Sequence, residues 1–238
     1  LRPTENAAPA HPLDRPAWSS LTGRQAHLAI AREARPGGAL RMDPAFGLFA
    51  AASDETPGSL AALGELVRAH GDSGLVERAP PPPVAGTRVL SSALCWQMTA
   101  RAVTSLKPAD FEIVRLGDAE AAEMLALATL TRPGPFFART HELGDFVGVK
   151  VGGELAAMAG ERMRPDGFTE VSGVCTHPDF RGKGYAAGLM AHVAGAILAR
   201  GETPVLHSYA DNAGANALYQ ALGFARRADI WFTVLTAD

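Results

Sequence analysis

The feature of this 238-residue sequence that most constrains its fold is the stretch HPDFRGKGYAAG, from His177 to Gly188. It follows a strand-like segment, FTEVSGVCT, and it leads into GYAAGLMAHVAGAILARG, whose apolar residues have helical spacing. Gly182 and Gly184 can adopt the positive φ angles that other residues resist. The sequence therefore predicts a tight turn that joins a strand to the N-terminus of a long helix.

Such a turn can bind a phosphate. The first amide N–H groups of a helix have no intrahelical partner and carry partial positive charge, so an anion can bind there through backbone alone. Arg181 and Lys183 add positive charge. The spacing is neither that of a Walker loop nor that of a dinucleotide fingerprint. Taken alone, the motif does not exclude an ordinary turn with solvated cations.

The segment from about residue 111 onward shows the order β-α-β-β-β-α-β-α-β. Within it, DFVGVKVGGELAAMAGE is typical of an antiparallel hairpin with its turn at Gly152 and Gly153. DAEAAEMLALATLT predicts a helix capped by Asp118, and NAGANALYQALG a short helix capped by Asn212. This region is the second of two predicted units, residues 108–238.

Residues 1–107 form the other predicted unit. AFGLFAAAS is typical of a buried strand, and SLAALGELVRAHG of an amphipathic helix that Ser59 can cap. TRVLSSALCWQMTA predicts a strand with a break near its serines, and the prolines of PPPP favour an extended surface segment.

Composition excludes several classes of partner. A net charge of −3 provides no global basic field for nucleic acid or an acidic membrane. No apolar run approaches the roughly 18–20 residues of a membrane span, and the polar, proline-rich N-terminal segment is not typical of a signal peptide. Cys95 and Cys175 alone make neither a disulfide scaffold nor a zinc site. We therefore expect a cytoplasmic protein without a metal.

Two motifs resemble the cofactor segments of the GNAT superfamily of acyl-CoA N-acyltransferases. The pattern [RQ]-x-x-G-x-[GA] is matched by Arg181, Gly184 and Ala186. The pattern N-x-x-[AS]-x-x-L-Y-x-x-x-G-F is matched by Asn212, Ala215, Leu218, Tyr219, Gly223 and Phe224. The resemblance covers about residues 111–235. It implies an α/β (α+β) GNAT fold, with a mixed, mostly antiparallel sheet that splays apart at the cofactor strands.

The resemblance also implies acetyl-CoA, or another acyl-CoA, as cofactor. The pantetheine arm would enter between the strands Glu170–Thr176 and Val205–Ala210. Backbone amides of Val174, Cys175 and Thr176 would face the arm, and that of Cys175 would polarise the thioester carbonyl. The amides that would bind the pyrophosphate are those of Arg181, Gly182, Lys183, Gly184, Tyr185 and Ala186. Asn212 would cap its helix or also reach the cofactor.

The implied reaction is direct attack of an amine on the thioester. Because an ammonium is not a nucleophile, a base must take its proton. Glu170 is the first candidate, since many family members carry their base at that place; Glu161, His177 and a water relay are alternatives. Tyr219 matches the usual general acid beside the cofactor sulfur. Cys175 is not expected to act as a nucleophile, because a buried strand thiol is usually inert.

The first unit resembles the degenerate N-terminal half of glycine N-acyltransferase-like proteins. RPGPFF, from Arg132 to Phe137, is either a loop on the acceptor side or a plain proline-broken loop. The predicted function is transfer of an acetyl or acyl group to a primary amine of a small molecule or amino acid. The alternatives are a non-catalytic acyl-CoA-binding module and a protein or peptide N-acetyltransferase. A homodimer is compatible with each of these three functions.

Overall fold

The structure is a computed structural model in which residues 11–30, 37–104 and 110–238 are described. The predicted boundary between residues 107 and 108 lies outside the described residues, and so does the start of the proline-rich N-terminal segment. Within the described ranges, no helix combines the length and the apolar character that a membrane crossing requires.

The described residues contain both strands and α-helices. The strands are β1 (Ala39–Arg41), β2 (Ala50–Ala52), β3 (Ser73–Glu77), β4 (Thr87–Thr99), β5 (Val114–Leu116), β6 (Phe146–Val151), β7 (Glu154–Glu161), β8 (Phe168–Thr176), β9 (Thr203–Tyr209) and β10 (Ala225–Ala237). The helices are α1 (Pro16–Thr22), α2 (Pro57–His70), α3 (Ala121–Thr131), α4 (Tyr185–Ala199) and α5 (Ala213–Ala221). From β5 to β10 the elements follow the predicted order.

Eight strands form one sheet in the order β3-β10-β4-β9-β8-β7-β6-β5, and β1 pairs with β2 in a separate small sheet. Neighbours in the large sheet are antiparallel except β8 and β9, which are parallel and joined by the crossover helix α4. β3 and β4 precede the predicted boundary, yet they share this sheet with strands that follow it. The predicted mixed, mostly antiparallel α/β fold is confirmed.

The sheet opens between β8 and β9. The two strands pair only from Phe168 to Glu170 and from Thr203 to Val205, although β8 continues to Thr176 and β9 to Tyr209. Beyond the paired residues the strands diverge, which leaves a cleft in the middle of the sheet. The predicted splay is therefore confirmed.

A bulge in β8 lies at this cleft. Ser172 is opposite Gly160 and Cys175 is opposite Met158, so β8 carries one residue more than β7 between these pairs. Gly173, inside the bulge, has a φ of +63°. This left-handed conformation favours glycine, and it disrupts regular pairing beside the cleft.

The structure shows how three of the predicted helices begin. Asn212 caps α5, because its Oδ1 accepts from the N–H of Ala215 at 3.3 Å. Thr56 rather than Ser59 caps α2, and Pro57 occupies the first helical position, where a missing N–H costs nothing. Asp118 does not cap α3; it begins a short 3-10 turn, and α3 starts three residues later.

The two longest helices of the second half cover opposite faces of the sheet. Leu189, Val193 and Ile197 of α4 are buried against residues of β6 to β9, as their four-residue spacing predicts. Met124 and Leu127 of α3 pack on the other face, around Phe146 and Met158.

Residues in the ranges 11–30 and 37–100 complete a further core on the α3 side of the cleft. Phe49, Val76, Cys95, Met163 and Ile230 belong to one buried cluster. Because this cluster joins side chains from both parts of the chain, the N-terminal elements form one wall of the cavity described below.

Candidate active site

Two adjoining cavities lie at the opening between β8 and β9. Their volumes are about 110 and 50 Å³. Pro133, Arg162, His207 and Tyr219 line both. Pro133, Gly134 and Pro135 of the predicted RPGPFF loop line the larger one. The cleft, the loop and α5 thus meet at one place, which we treat as the candidate active site.

Glu170 lies at the point where the strands separate, and its side chain is 1% exposed. Its carboxylate accepts two hydrogen bonds from Arg162, both at 2.9 Å, and one from the N–H of Met163 at 3.2 Å. The fourth hydrogen bond joins the carboxylate to Nδ1 of His207 at 2.8 Å. The carboxylate is therefore fully hydrogen-bonded by groups of the protein.

These contacts weaken Glu170 as a base. Burial alone would raise its pKa, but the charge of Arg162 and the hydrogen bonds from His207 and Arg162 outweigh burial and hold the pKa well below its usual range. A carboxylate with so low a pKa is a poor proton acceptor. The geometry favours a role in which Glu170 orients Arg162 and His207 over one in which it takes the proton itself.

Gln97 of β4 fixes the tautomer of His207. Oε1 of Gln97 accepts from the guanidinium of Arg227 at 2.7 Å, which orients the amide. Nε2 of Gln97 then donates to the carbonyl of Leu13 at 2.8 Å and faces Nε2 of His207 at 3.0 Å. Since an amide nitrogen only donates, Nε2 of His207 accepts, and the ring proton is on Nδ1, where it bonds to Glu170.

Tyr219 places a phenol hydroxyl at the site. It projects from α5 and lines both cavities. Burial raises its pKa, so its hydroxyl stays protonated at neutral pH. This state suits a general acid, as the sequence predicts, and the role remains a prediction.

The glycine turn has the geometry of an anion site. Arg181 is extended, and Gly182 and Gly184 have φ angles of +77° and +80°. A Cβ added to either glycine would meet no described protein atom within 4 Å, so conformation rather than packing requires glycine there. No side chain caps α4, which begins at Tyr185. Its first N–H groups are therefore left for a ligand or for water.

The flanking residues of the turn are placed as follows. The ammonium group of Lys183 lies 5.3 Å from the ring centroid of Phe180. Tyr185 contacts Phe111 edge-to-face at 4.9 Å, and Ala186 follows it in the first turn of α4. Asn212 lines the larger cavity in addition to capping α5.

The ladder to β7 directs the amide of Cys175 away from the cleft. His177 donates its N–H to Ala156 of β7 at 2.8 Å, and Cys175 lies opposite Met158. Since N–H directions alternate along a strand, the N–H of Cys175 also points to β7, whereas that of Thr176 points to the cleft side.

The bulge brings two further backbone amides to the cleft. Gly173 and Val174 line the smaller cavity, and their amides are not held in regular pairing. The Cys175 thiol is buried, and burial raises its pKa to about 11, so it stays a thiol at neutral pH. This state is unsuited to a nucleophile.

The alternative bases lie elsewhere. Glu161 is buried on the α4 side of the sheet, accepts from Arg200 at 2.6 Å and lines a separate cavity with His192. His177 accepts from the N–H of Asp179 at 3.3 Å and caps a 3-10 turn. The structure brings neither of them together with Tyr219.

A solved structure from Novosphingobium aromaticivorans, assigned to the GNAT family of acetyltransferases, is 47% identical to this chain. The match covers 96% of this chain and 99% of the other, with a TM-score of 0.87. The chain belongs to the GNAT family. Residues 146–232 also match the family described as FR47-like protein.

More distant GNAT proteins share the fold. A GCN5-related N-acetyltransferase from Kribbella flavida is 22% identical over 82% of this chain and 85% of its own, with a TM-score of 0.58. No curated protein matches the sequence. GNAT enzymes are acyl-CoA-dependent transferases, and the coarse prediction of an acetyltransferase is confirmed at the level of the family.

Several candidate residues of this GNAT chain were missed by the motifs. The residues are Gln97, Arg162, Gly173, His207 and the cavity residues Phe49 and Val76. The glycine inside VSGVC could have indicated the bulge, because glycine in a strand pattern often marks one. The others belong to no local motif, since they meet only through the register of the sheet.

Proposed function

We propose that this GNAT protein transfers an acetyl group from acetyl-CoA directly to the primary amine of a small molecule or amino acid. The observation that carries the proposal is the opening between β8 and β9. β8 leads into the glycine turn of α4, and the cleft that it borders contains the phenol of Tyr219.

The residues of the cleft fit the cofactor that the family implies. The uncapped start of α4, with positive φ at Gly182 and Gly184, suits a diphosphate. The residues that would hold it are Arg181, Gly182, Lys183, Gly184, Tyr185 and Ala186. Amides of Val174 and Thr176 would pair with the pantetheine arm, and Asn212 would contact it from α5. When bound, acetyl-CoA supplies the acetyl thioester.

The chain would then supply proton transfer and polarisation. Amides at the bulge of Gly173 and Val174 would polarise the carbonyl, and Tyr219 would donate a proton to the leaving sulfur. We propose that the amine loses its proton to bulk solvent through water in the cavity. Glu170 would act as a positioning residue, because its four hydrogen bonds leave it a weak base.

A second candidate function is a non-catalytic acyl-CoA-binding module. The observation that favours it is that Arg162, His207 and a backbone N–H already occupy the hydrogen-bonding positions of the Glu170 carboxylate. A site built only to bind would need no free base.

We also propose that the chain is similar to glycine N-acyltransferase-like proteins, with residues 1–107 as a degenerate half. We further propose a cytoplasmic location and a homodimer. We propose that residues 1–107 serve to close the larger cavity, because Phe49 and Val76 contribute to its lining.

A thiol-release assay tests the proposal. The protein is mixed with acetyl-CoA and a panel of amines and amino acids, and both free CoA and the acetylated product are measured. Release with at least one amine, lost in Tyr219→Phe, supports the enzyme. If no acceptor reacts while CoA still raises the melting temperature, the binding module is the better reading.

A further inference from the structure

The larger cavity has a floor of four apolar side chains, which we name the acceptor floor: Phe49, Val76, Ile230 and Phe232. Phe49 is 1% exposed and Ile230 is fully buried. The rings of Phe49 and Phe232 lie 6.3 Å apart at an angle of 47°. The floor is therefore an apolar surface that carries two aromatic rings.

The charges around the floor are already neutralised. Among the described residues, none that lines the larger cavity is acidic, and its one permanent cation is Arg162. Arg162 is bound by both carboxylate oxygens of Glu170, and its guanidinium lies 4.7 Å from the ring centroid of Phe49. A second charge on an acceptor would lose its water on this floor, and no described residue that lines the cavity carries a free counter-charge.

The size of the cavity limits what the floor can hold. The larger cavity measures about 110 Å³. A dry cavity of about 150 Å³ lined by Leu, Ile and Phe accepts benzene. The space is thus on the scale of one ring or of a short branched chain. Aromatic rings also favour edge-to-face contact with other rings, which the tilted pair of Phe49 and Phe232 offers.

We infer that the acceptor is a monoamine with a compact aromatic or branched aliphatic group, which packs on the acceptor floor while its amine faces the cleft. This inference rests on the proposed function. It excludes polyamines, lysine-like diamines and polyhydroxylated amines as good acceptors, because each would place a polar or charged group on an apolar surface.

The test compares kcat/KM for acetyl transfer to 2-phenylethylamine, isoamylamine, ethanolamine and putrescine. We expect the first two to exceed the last two by about tenfold or more, since each buried methylene contributes a several-fold gain. In Phe232→Leu, the preference for 2-phenylethylamine over isoamylamine should shrink. Phe232 is only partly buried, so this variant tests the floor at low risk to folding.

A space-filling variant gives a second readout. Val76→Phe should lower kcat/KM for 2-phenylethylamine by about tenfold and leave that for ethylamine less affected. The matched control is Val89→Phe, since Val89 is 55% exposed on β4, outside the cavity. Turnover of ethanolamine or putrescine as fast as 2-phenylethylamine overturns this inference alone. If no amine releases CoA, the proposed function fails and the inference fails with it.

Discussion

Gln97 of β4 and His207 of β9 are direct partners in the register of the sheet, and their side chains meet at 3.0 Å. The contact depends on a residue that is distant in sequence, because Arg227 of β10 orients the Gln97 amide. Strands from both parts of the chain thus determine where the ring proton of His207 lies, and that proton in turn bonds to Glu170.

The first prediction concerns this tautomer. Nitrogen NMR of the His207 ring should show the tautomer that carries its proton on Nδ1, with Nε2 as the acceptor. In Gln97→Glu, a carboxylate faces Nε2, and a proton should appear there as well. The exposed ring of His192 serves as an internal control that should not change. A proton on Nε2 of the unmodified protein would contradict the hydrogen-bond assignment.

The second prediction concerns the buried ion pair of Arg162 and Glu170. Arg162→Met leaves a carboxylate that is 1% exposed without its counter-charge, so the free energy of unfolding should fall by about 3–5 kcal/mol. The matched control is Arg115→Met, which removes a pair between exposed partners and should change little. Urea unfolding at pH 7 measures both changes in the free energy of unfolding. If the two changes were equal, the buried pair would contribute no more to stability than the exposed pair.

The third prediction is a loss of stability in acid. The folded pKa of Glu170 is lowered, so its contribution is fully present above the unfolded value of 4.5 and is lost as pH falls toward the folded pKa. Stability should therefore decline below about pH 5. In Glu170→Gln this part of the decline should be missing, which chemical unfolding at several pH values can check. If the variant lost as much stability in acid as the unmodified protein, Glu170 would not be the cause of the decline.

The fourth prediction concerns the glycine turn. Gly184→Ala forces an L side chain to a φ of +80°, which should cost about 1–2 kcal/mol and raise the KM for acetyl-CoA. Gly195→Ala is the control: Gly195 lies within α4, its added Cβ meets no described atom, and alanine favours the helix. Calorimetry with CoA separates the loss of affinity from the loss of stability. Equal CoA affinity in both variants would show that the turn is not part of the cofactor site.

The fifth prediction concerns Tyr219. Tyr219→Phe keeps the ring but removes the proton, so kcat should fall by about 10²-fold or more while CoA affinity stays the same. Stopped-flow or steady-state CoA release gives kcat, and the CoA-induced shift in melting temperature gives binding. A normal kcat in the variant would mean that solvent protonates the leaving sulfur.

Local signals in the sequence predicted much of the fold. The hairpin at Gly152 and Gly153 is present, with φ angles of +61° and +90°. The strand–turn–helix segment around Gly184 and the cap at Asn212 are also as predicted. Each of these depends on residues a few positions apart, whose conformational preferences act without the rest of the chain.

The misses depend on distant contacts or on competing neighbours. Thr56 rather than Ser59 caps α2, because Pro57 starts the helix earlier. AFGLFAAAS forms only a three-residue strand, since its earlier part turns to place Phe49 in the core. The interruption near the serines of β4 is a bulge opposite Val234 and Leu235 within one continuous strand.

The candidate site residues differ in how strongly local sequence indicates them. Tyr219 and the glycine turn carry local motifs and were named. Arg162 and Gln97 were not, because their roles arise from pairing across the sheet. The base assigned to Glu170 rested on its place in a strand, and no local pattern shows that Arg162 would neutralise it.

β10 lies between β3 and β4 in the sheet, and it follows both along the chain. During translation, the two earlier strands would leave the ribosome with their bonding edges and apolar faces uncovered. Only when Ile230 and Phe232 have been synthesised can both gain their shared neighbour. Nascent polypeptides of this topology should therefore depend on chaperones until β10 has been synthesised, since such long-range pairings form slowly.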